Sequence, residues 1–343
     1  MDDGFLKDED VEFDLNYEKK TFIVDRGQSP FRIDKWLHQK IEYVSRQKIQ
    51  DAIDEQRVLV NDSFTTSNYK IKPGDKIELL IYHSTPSSEI IPENIPIDIL
   101  YEDAELIVIN KKDNMVVHPA IGNFSGTLLN ALAGYYQEQN YYNQIQTINR
   151  MGLVHRIDKN TTGLIVLAKT DFSAAHLAKQ FFEHTIKRQY VAVVWGRLNQ
   201  PQGTIKTNIA RHQRHRKMFD NYPFEGDIGK RAITHFELIK EWNYASLISC
   251  HLETGRTHQI RVHMKYLGHT LFNDFEYGGD KILKGTVYPK YKNFIENCFK
   301  ICPRPALHAK TLGFIHPLTK EPKFFEAPLP TDMEQLIEAW NRY

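Results

Sequence analysis

Cysteine is scarce in this 343-residue chain: there are three, Cys250, Cys298 and Cys302. So odd and sparse a set excludes a disulfide framework and suits a reducing compartment, so a cytoplasmic location is expected. Long apolar runs are also missing. No stretch reaches the roughly 20 apolar residues that span a bilayer, and no membrane partner is expected. The N-terminus, MDDGFLKDED, lacks the basic and apolar regions of a secretory signal. Net charge is nearly absent too, at +1 from 44 basic and 43 acidic residues. That balance is uneven. Residues 1–18 hold eight acids and one base, leaving 43 basic against 35 acidic residues, a net +8, in the rest of the chain. The acidic tail is expected to be disordered. A basic body suits a polyanionic partner. With 41 % hydrophobic residues the chain can bury a sizeable core, and its length suits two or three domains.

The stretch with the most chemistry is Gly152 to Lys169, GLVHRIDKNTTGLIVLAK. Leu164 to Ala168 is apolar and predicts a buried strand. The polar block before it predicts a tight loop shaped by Thr161, Thr162 and Gly163. In that loop Asp158 lies between Arg156 and Lys159. A carboxylate beside cations stays ionised and can serve as nucleophile or base at neutral pH. On chemistry alone a solvated surface ion pair is the commoner reading of such a cluster.

HRIDKNTTGLIVLAKT resembles the catalytic-aspartate motif of the pseudouridine synthases, in the branch that modifies large-subunit ribosomal RNA. The family's usual Leu is Ile157 here and its usual Asp is Asn160, while the nucleophile position, Asp158, is intact. Two further segments carry the resemblance. Lys187–Arg188–Gln189–Tyr190, before the apolar run Val191 to Trp195, is similar to the family's second motif, whose tyrosine stacks on the target base. Leu252 to Met264, LETGRTHQIRVHM, is similar to the third, whose arginine pairs with the catalytic carboxylate; Arg261 holds that position. Arginine suits the task because its planar fork can hold both oxygens of a carboxylate.

The flanking regions extend this reading. Residues 19–83 predict a small separate domain. Asp34 to Ile41 and Arg46 to Asp54 have helical spacing, with Ser45 as a candidate N-cap. Arg57 to Asn61 and Lys76 to Tyr82 predict strands. The pattern FRIDKWL…SRQKIQDAI…VLVN…IKPGDKIEL resembles the S4-like RNA-binding domain, with Arg32, Lys35, Arg46 and Lys48 as candidate RNA contacts. Residues 84–96 (STPSSEIIPENIP) predict a linker, and residues 97–343 the catalytic domain. Asn110–Lys111–Lys112 departs from the family's Asn-Lys-Pro. Tyr135 to Gln146 is rich in Tyr, Asn and Gln and predicts a surface connection. Phe172 to Ile186 predicts a helix with Leu177, Phe181 and Phe182 on or near its buried face. Arg211 to Lys217, RHQRHRK, predicts a solvated loop or, with Arg211, Arg214, Arg216 and Lys217, a phosphate-binding one. Lys230 and Arg256 are further candidate RNA contacts. His258 with His263, and Cys298 and Cys302 with His308, lack a clean zinc spacing, so no metal is expected.

The resemblance spans residues 19–343 and implies an α+β fold: the small S4-like domain, then a catalytic domain with a long, mostly antiparallel, bent sheet flanked by helices. It implies an isomerase that needs no cofactor. The bond from ribose to uracil N1 breaks, the uracil turns in the pocket and rejoins through C5. Asp158 is then the essential carboxylate, Tyr190 stacks on uracil, Arg261 pairs with Asp158, and Ile157 and Leu164 line the pocket. The partner is 23S ribosomal RNA, free or in a large-subunit precursor, with the helix 69 stem-loop as target and a monomer expected. Two other readings remain at this stage: a family member acting on other 23S uridines, and a non-catalytic ribosome-assembly factor.

Overall fold

The computed structural model describes residues 17–41, 46–54, 57–82, 90–120, 123–145, 148–215 and 218–343. The acidic tail up to residue 16, the Ser45 cap, Arg216 and Lys217 lie outside the described residues, as does the side chain of Lys48.

The N-terminal unit runs β1 (Tyr17–Ile23), β2 (Phe31–Arg32), α1 (Ile33–Lys40), α2 (Arg46–Asp54), β3 (Val58–Val60), β4 (Ser63–Phe64), β5 (Lys70–Ile71) and β6 (Lys76–Tyr82). Four strands form a sheet in the order β1-β6-β3-β4, and β2 pairs with β5. Ile33 and Leu37 of α1 and Ile49 and Ile53 of α2 stand at helical i, i+4 spacing and close a core with Val58, Ile71 and Ile77. Asp34 is fully buried beside them. It accepts hydrogen bonds from Arg32 (3.0 Å), Arg46 (2.7 Å), Gln50 (2.8 Å) and the Lys35 backbone (2.8 Å). Burial alone would raise the Asp34 pKa; these donors outweigh it and hold the carboxyl far below the usual range. Arg32 and Arg46 therefore tie α1 to α2 through Asp34, while 39 % and 43 % of their side chains stay exposed toward solvent.

The larger unit runs β7 (Ile99–Glu102), β8 (Leu106–Lys111), α3 (Leu128–Glu138), α4 (Tyr142–Ile145), a 3₁₀ turn (Asn149–Gly152), β9 (Thr162–Ala168), α5 (Asp171–Phe182), β10 (Lys187–Trp195), β11 (Gln202–Arg211), β12 (Phe219–Tyr222), β13 (Lys230–Glu241), β14 (Ala245–Leu252), α6 (Gln259–Tyr266), α7 (Pro289–Ile301), β15 (Leu307–Ile315), β16 (Pro322–Glu326) and α8 (Thr331–Arg342). Its ten-stranded sheet has the order β12-β11-β13-β14-β10-β15-β9-β8-β7, with β16 beside β15. The pairing is antiparallel except between β15 and β9, where His308 and Ala309 meet Thr162 and Gly163 in parallel. The fold is thus α+β with a long, mostly antiparallel sheet.

β8 and β9 are apolar along nearly their whole length because both faces are covered. They share a core with α3 and α5, and Leu164 lies within it. α3 opens on a capping box between Thr127 and Asn130, and α5 on the Thr170 hydroxyl. A second core joins β10 and β14 to α7 and α8 through Trp195, Phe272, Tyr291 and Trp340.

Several local expectations need correction. Tyr135 to Ile145 is no surface connection: Tyr136 and Ile145 are buried, and Tyr141 and Tyr142 pack against the same core. The rings go inside while hydroxyls find carbonyls, Tyr142 reaching Ile90 O at 2.6 Å. α5 stops at Phe182, four residues early, because His184 takes a left-handed backbone (φ 56°). Phe182 is 47 % exposed, whereas Leu177 and Phe181 are buried. The segment read as linker is packed from Ile90 onward: Glu93 N donates to Asn130 O (3.0 Å), and Gly134 of α3 leaves room for the Glu93 carbonyl.

Candidate active site

The loop between the 3₁₀ turn and β9 is held from several sides. Gly152 has φ 72°, and a Cβ there would come within 1.8 Å of Ala168 O, so only glycine lets the turn close on β9. Gly163 (φ 109°) likewise makes room for Ala309 O at the parallel junction. His155 is buried, stacks on Phe181 at 4.4 Å and accepts the Val166 N–H (3.0 Å) through Nε2. Burial pushes its pKa down to about 3, so it is neutral. The Thr161 N–H donates to Asp158 O (3.1 Å), closing a turn with Asp158 at its head.

Two buried cations grip the loop's carbonyls. Lys111 Nζ donates to Lys159 O (3.0 Å), Lys112 O (2.7 Å) and Met115 O (2.9 Å). Burial pulls its pKa down to about 7, against the pull of Asp158 and Asp113. Arg304 donates to Asn160 O (3.1 Å) and Leu307 O (3.0 Å) while its fork clasps Asp332 at 2.7 and 2.9 Å. Lys111 thus laces its own loop to the Asp158 loop.

Asp158 faces an open-mouthed cavity, its side chain 20 % exposed. Tyr190, Ile157, Arg156, Arg256 and Arg261 line the same cavity. Arg261 Nη1 lies 3.3 Å from Asp158 Oδ2. Its fork, however, grips a different carboxylate. Nε and Nη2 hold fully buried Asp274 at 2.7 and 2.8 Å, and Nη2 also meets Glu276. The Tyr277 ring stacks 4.8 Å from the guanidinium. The expectation that the fork would take both oxygens of Asp158 is corrected: Asp274 orients Arg261, and Arg261 offers Asp158 one N–H.

His258 completes the surround. It caps α6 in a left-handed conformation (φ 56°), and its Nε2 lies 3.9 Å from Asp158 Oδ2. The Tyr277 hydroxyl accepts the Phe219 N–H (3.0 Å) and lies 2.8 Å from His258 Nδ1. With the Tyr277 phenol as donor to Nδ1, the imidazole hydrogen sits on Nε2, the nitrogen 3.9 Å from Asp158. Burial holds His258 below its ordinary pKa despite the nearby carboxylates. Burial would raise the Asp158 pKa, but His258, Arg261 and Arg156 outweigh it and keep the carboxyl below its usual range. Tyr190 is buried and its pKa raised, so its phenol is neutral.

The remaining candidates are scattered. Leu164 faces the core under α3 and α5 and does not line the cavity. Lys159 reaches outward to Asn123 (3.4 Å). Arg211 ends β11 with its guanidinium 5.4 Å from the Phe219 ring, and that ring stands 5.6 Å from His258. Arg214 is exposed in the same hairpin, and Lys230 opens β13. Arg256 Nε donates to Arg231 O (3.1 Å) at the cavity rim. The sequence reading missed the parts played by Lys111, Arg188, His258, Asp274 and Arg304. Arg188 and His258 lie inside the quoted motifs, Lys111 in the segment noted for its lost proline. Asp274 and Arg304 carry no motif signal.

Residues 105–266 match the RNA pseudouridylate synthase family, a span that includes Asp158, Tyr190 and Arg261, and residues 31–77 match the S4 domain. An uncharacterized RNA pseudouridine synthase of Chlorobaculum parvum is 45 % identical over 93 % of this chain and 96 % of its own. The chain belongs to the RNA pseudouridine synthase family. The synthase is also 40 % identical to the ribosomal large subunit pseudouridine synthase D of Zymomonas mobilis, over 90 % of this chain and 93 % of that one. Human RNA pseudouridylate synthase domain containing 4 shares its fold, with a TM-score of 0.53 and 21 % identity over 71 % of this chain and 93 % of that chain.

Proposed function

We propose that this synthase converts uridines of 23S ribosomal RNA to pseudouridine, in the helix 69 stem-loop, with Asp158 as the essential carboxylate. The observation that carries the reading is the contact of Asp158 with Arg261 in a cavity walled by Tyr190. A carboxylate kept ionised there is ready at neutral pH to attack ribose C1′ or to take a C2′ proton. Tyr190 supplies a ring for the uracil to stack on, and as a neutral phenol it assists transfer of the C5 proton. The His258 N–H and Arg261 Nη1 steer the Asp158 oxygens. Ile157 forms part of the dry wall that retains the free base. The chemistry calls for no cofactor.

Arg156 and Arg256 at the rim receive phosphates beside the target, and Arg211, Arg214, Arg216, Lys217 and Lys230 extend that basic track. Residues 19–83 anchor RNA through Arg32, Lys35, Arg46 and Lys48. A linker follows, and the catalytic unit begins near Ile90. The enzyme works as a monomer in the cytoplasm, on free RNA or a large-subunit precursor. Similarity to the Zymomonas synthase D supports the choice of substrate. The test is a pseudouridine map of 23S RNA from cells with and without the gene. Loss of the helix 69 pseudouridines is expected; an unchanged map refutes the assignment.

A further inference from the structure

Among the described residues, one cation of the cavity, Arg188, has no carboxylate beside it. Arg188 stands two residues before Tyr190 on β10, so strand alternation turns both side chains to the same face, and both line the cavity. The guanidinium rests 5.3 Å over the Phe181 ring. It packs closely on Gly255, where a Cβ would stand 2.9 Å from Nη1 and shift the guanidinium. Its Nε is buried with no hydrogen-bond partner, and among the described residues no carboxylate pairs with it. Arg261, the arginine buried in the same cavity wall, is shared among Asp158, Asp274 and Glu276. The side chain is half-buried, but a guanidinium whose Nε is desolvated with no partner costs stability, which marks a position awaiting a ligand's charge.

The reaction supplies such a charge, on the reading of the cavity given above. When the C1′–N1 bond breaks, its electron pair leaves with N1 and spreads over N1, O2 and O4 of uracil. Asp158 becomes neutral at that moment. Either its oxygen bonds to C1′ as an ester, or it takes the C2′ proton while a C1′–C2′ double bond forms. One unit of negative charge thus passes from carboxylate to base. Arg261 serves the first location only. We propose that Arg188 serves the second: its guanidinium donates to a carbonyl oxygen of the detached uracil anion and holds the base as it turns. C5 then bonds to C1′, Asp158 regains its charge, the C5 proton leaves and N1 takes one up. A phosphate is the poorer occupant, because Arg156 and Arg256 already stand at the rim where the backbone passes, whereas Arg188 lies inside beside the stacking ring.

The test compares wild type, Arg188→Met and Arg188→Lys as full chains on a 23S RNA fragment. It measures single-turnover tritium release from C5-labelled uridine, RNA affinity and melting temperature. The Met variant should lose about 100- to 1,000-fold in rate, as when one transition-state donor is removed. Its affinity should change by less than about threefold, since the contact forms only after cleavage. Lys should recover about tenfold or more, because charge without the fork still serves. Melting temperature should hold or rise. With 5-fluorouridine RNA, followed by nucleoside chromatography, the Met variant should lose less, because fluorine itself stabilises the uracil anion. An unchanged rate overturns the proposal. So does affinity falling as far as rate, which would mark a phosphate contact, or rate loss with melting lowered by more than about 5 °C, which would mark a packing role. Wild type inactive on uridine RNA would instead sink the isomerase reading, and this inference with it.

Discussion

Arg261→Leu tests the charge network under Asp158 at two levels, because Arg261 serves two carboxylates. Leucine replaces the buried stem but withdraws both hydrogen bonds from Asp274, whose side chain has no exposure. The Tyr277 N–H, at 3.4 Å, is then the remaining donor to Asp274. Breaking a buried pair by removing one partner costs about 3–5 kcal/mol, a large part of a typical total of about 5–15 kcal/mol. At about 2–4 °C per kcal/mol for domains of this size, melting should fall by roughly 6–20 °C. Asp158 loses its 3.3 Å contact as well. With that cation gone, burial raises the Asp158 pKa, so the residual rate should climb with pH as the carboxylate ionises. The double variant Arg261→Leu/Asp274→Asn separates the two effects: it should regain much of the stability and none of the rate. The assays are thermal melting by circular dichroism and single-turnover tritium release against pH. A Leu variant that melts like wild type, or reacts at near-normal rate with a flat pH profile, refutes the reasoning.

Deleting residues 1–83 should weaken RNA binding and flatten its salt dependence, as phosphate contacts are lost, while the remainder still acts at high concentration; unchanged affinity and slope on titration would show that the small unit is no anchor. Lys111→Met should slow single turnover by about 100-fold, because the Asp158 loop loses its lacing, with RNA affinity retained; an unchanged rate would mean that the lacing is dispensable. The Lys111 pKa, about 7 when folded against an ordinary lysine's 10.5, also has a stability signature. Its contribution is complete above pH 10.5 and lost as pH falls through about 7, so wild-type stability relative to Lys111→Met should rise across that window in denaturant titrations. His258→Asn should lower the rate while leaving affinity intact and should shift the acid limb of the rate profile upward, since Asp158 loses a donor; an unmoved limb would remove His258 from the site.

The loop around Asp158 was readable because a tight turn before a buried strand leaves local marks: glycine at a forced conformation, apolar residues in sequence. The long catalytic sheet was expected from the family resemblance alone. Partnerships across the fold were not. Asp274 takes the Arg261 fork from 13 residues away, and Arg304 reaches Asn160 from 144 away, with no spacing to announce either. Tyr136 reads as polar by its neighbours' composition but buries its ring. Leu164 follows the motif closely, yet alternation along β9 turns it into the core under α5 instead of into the cavity. Arg32 and Arg46 look like free cations until the buried Asp34 between them is seen.

The central claim is that Asp158 makes and breaks the bond at ribose. Its most direct test is single-turnover pseudouridine formation by purified Asp158→Asn on the 23S fragment, with RNA affinity measured on the same preparation. The amide keeps the shape and removes the charge and the nucleophile. No pseudouridine, with affinity near wild type, is the predicted result. Appreciable turnover by the Asn variant contradicts the account.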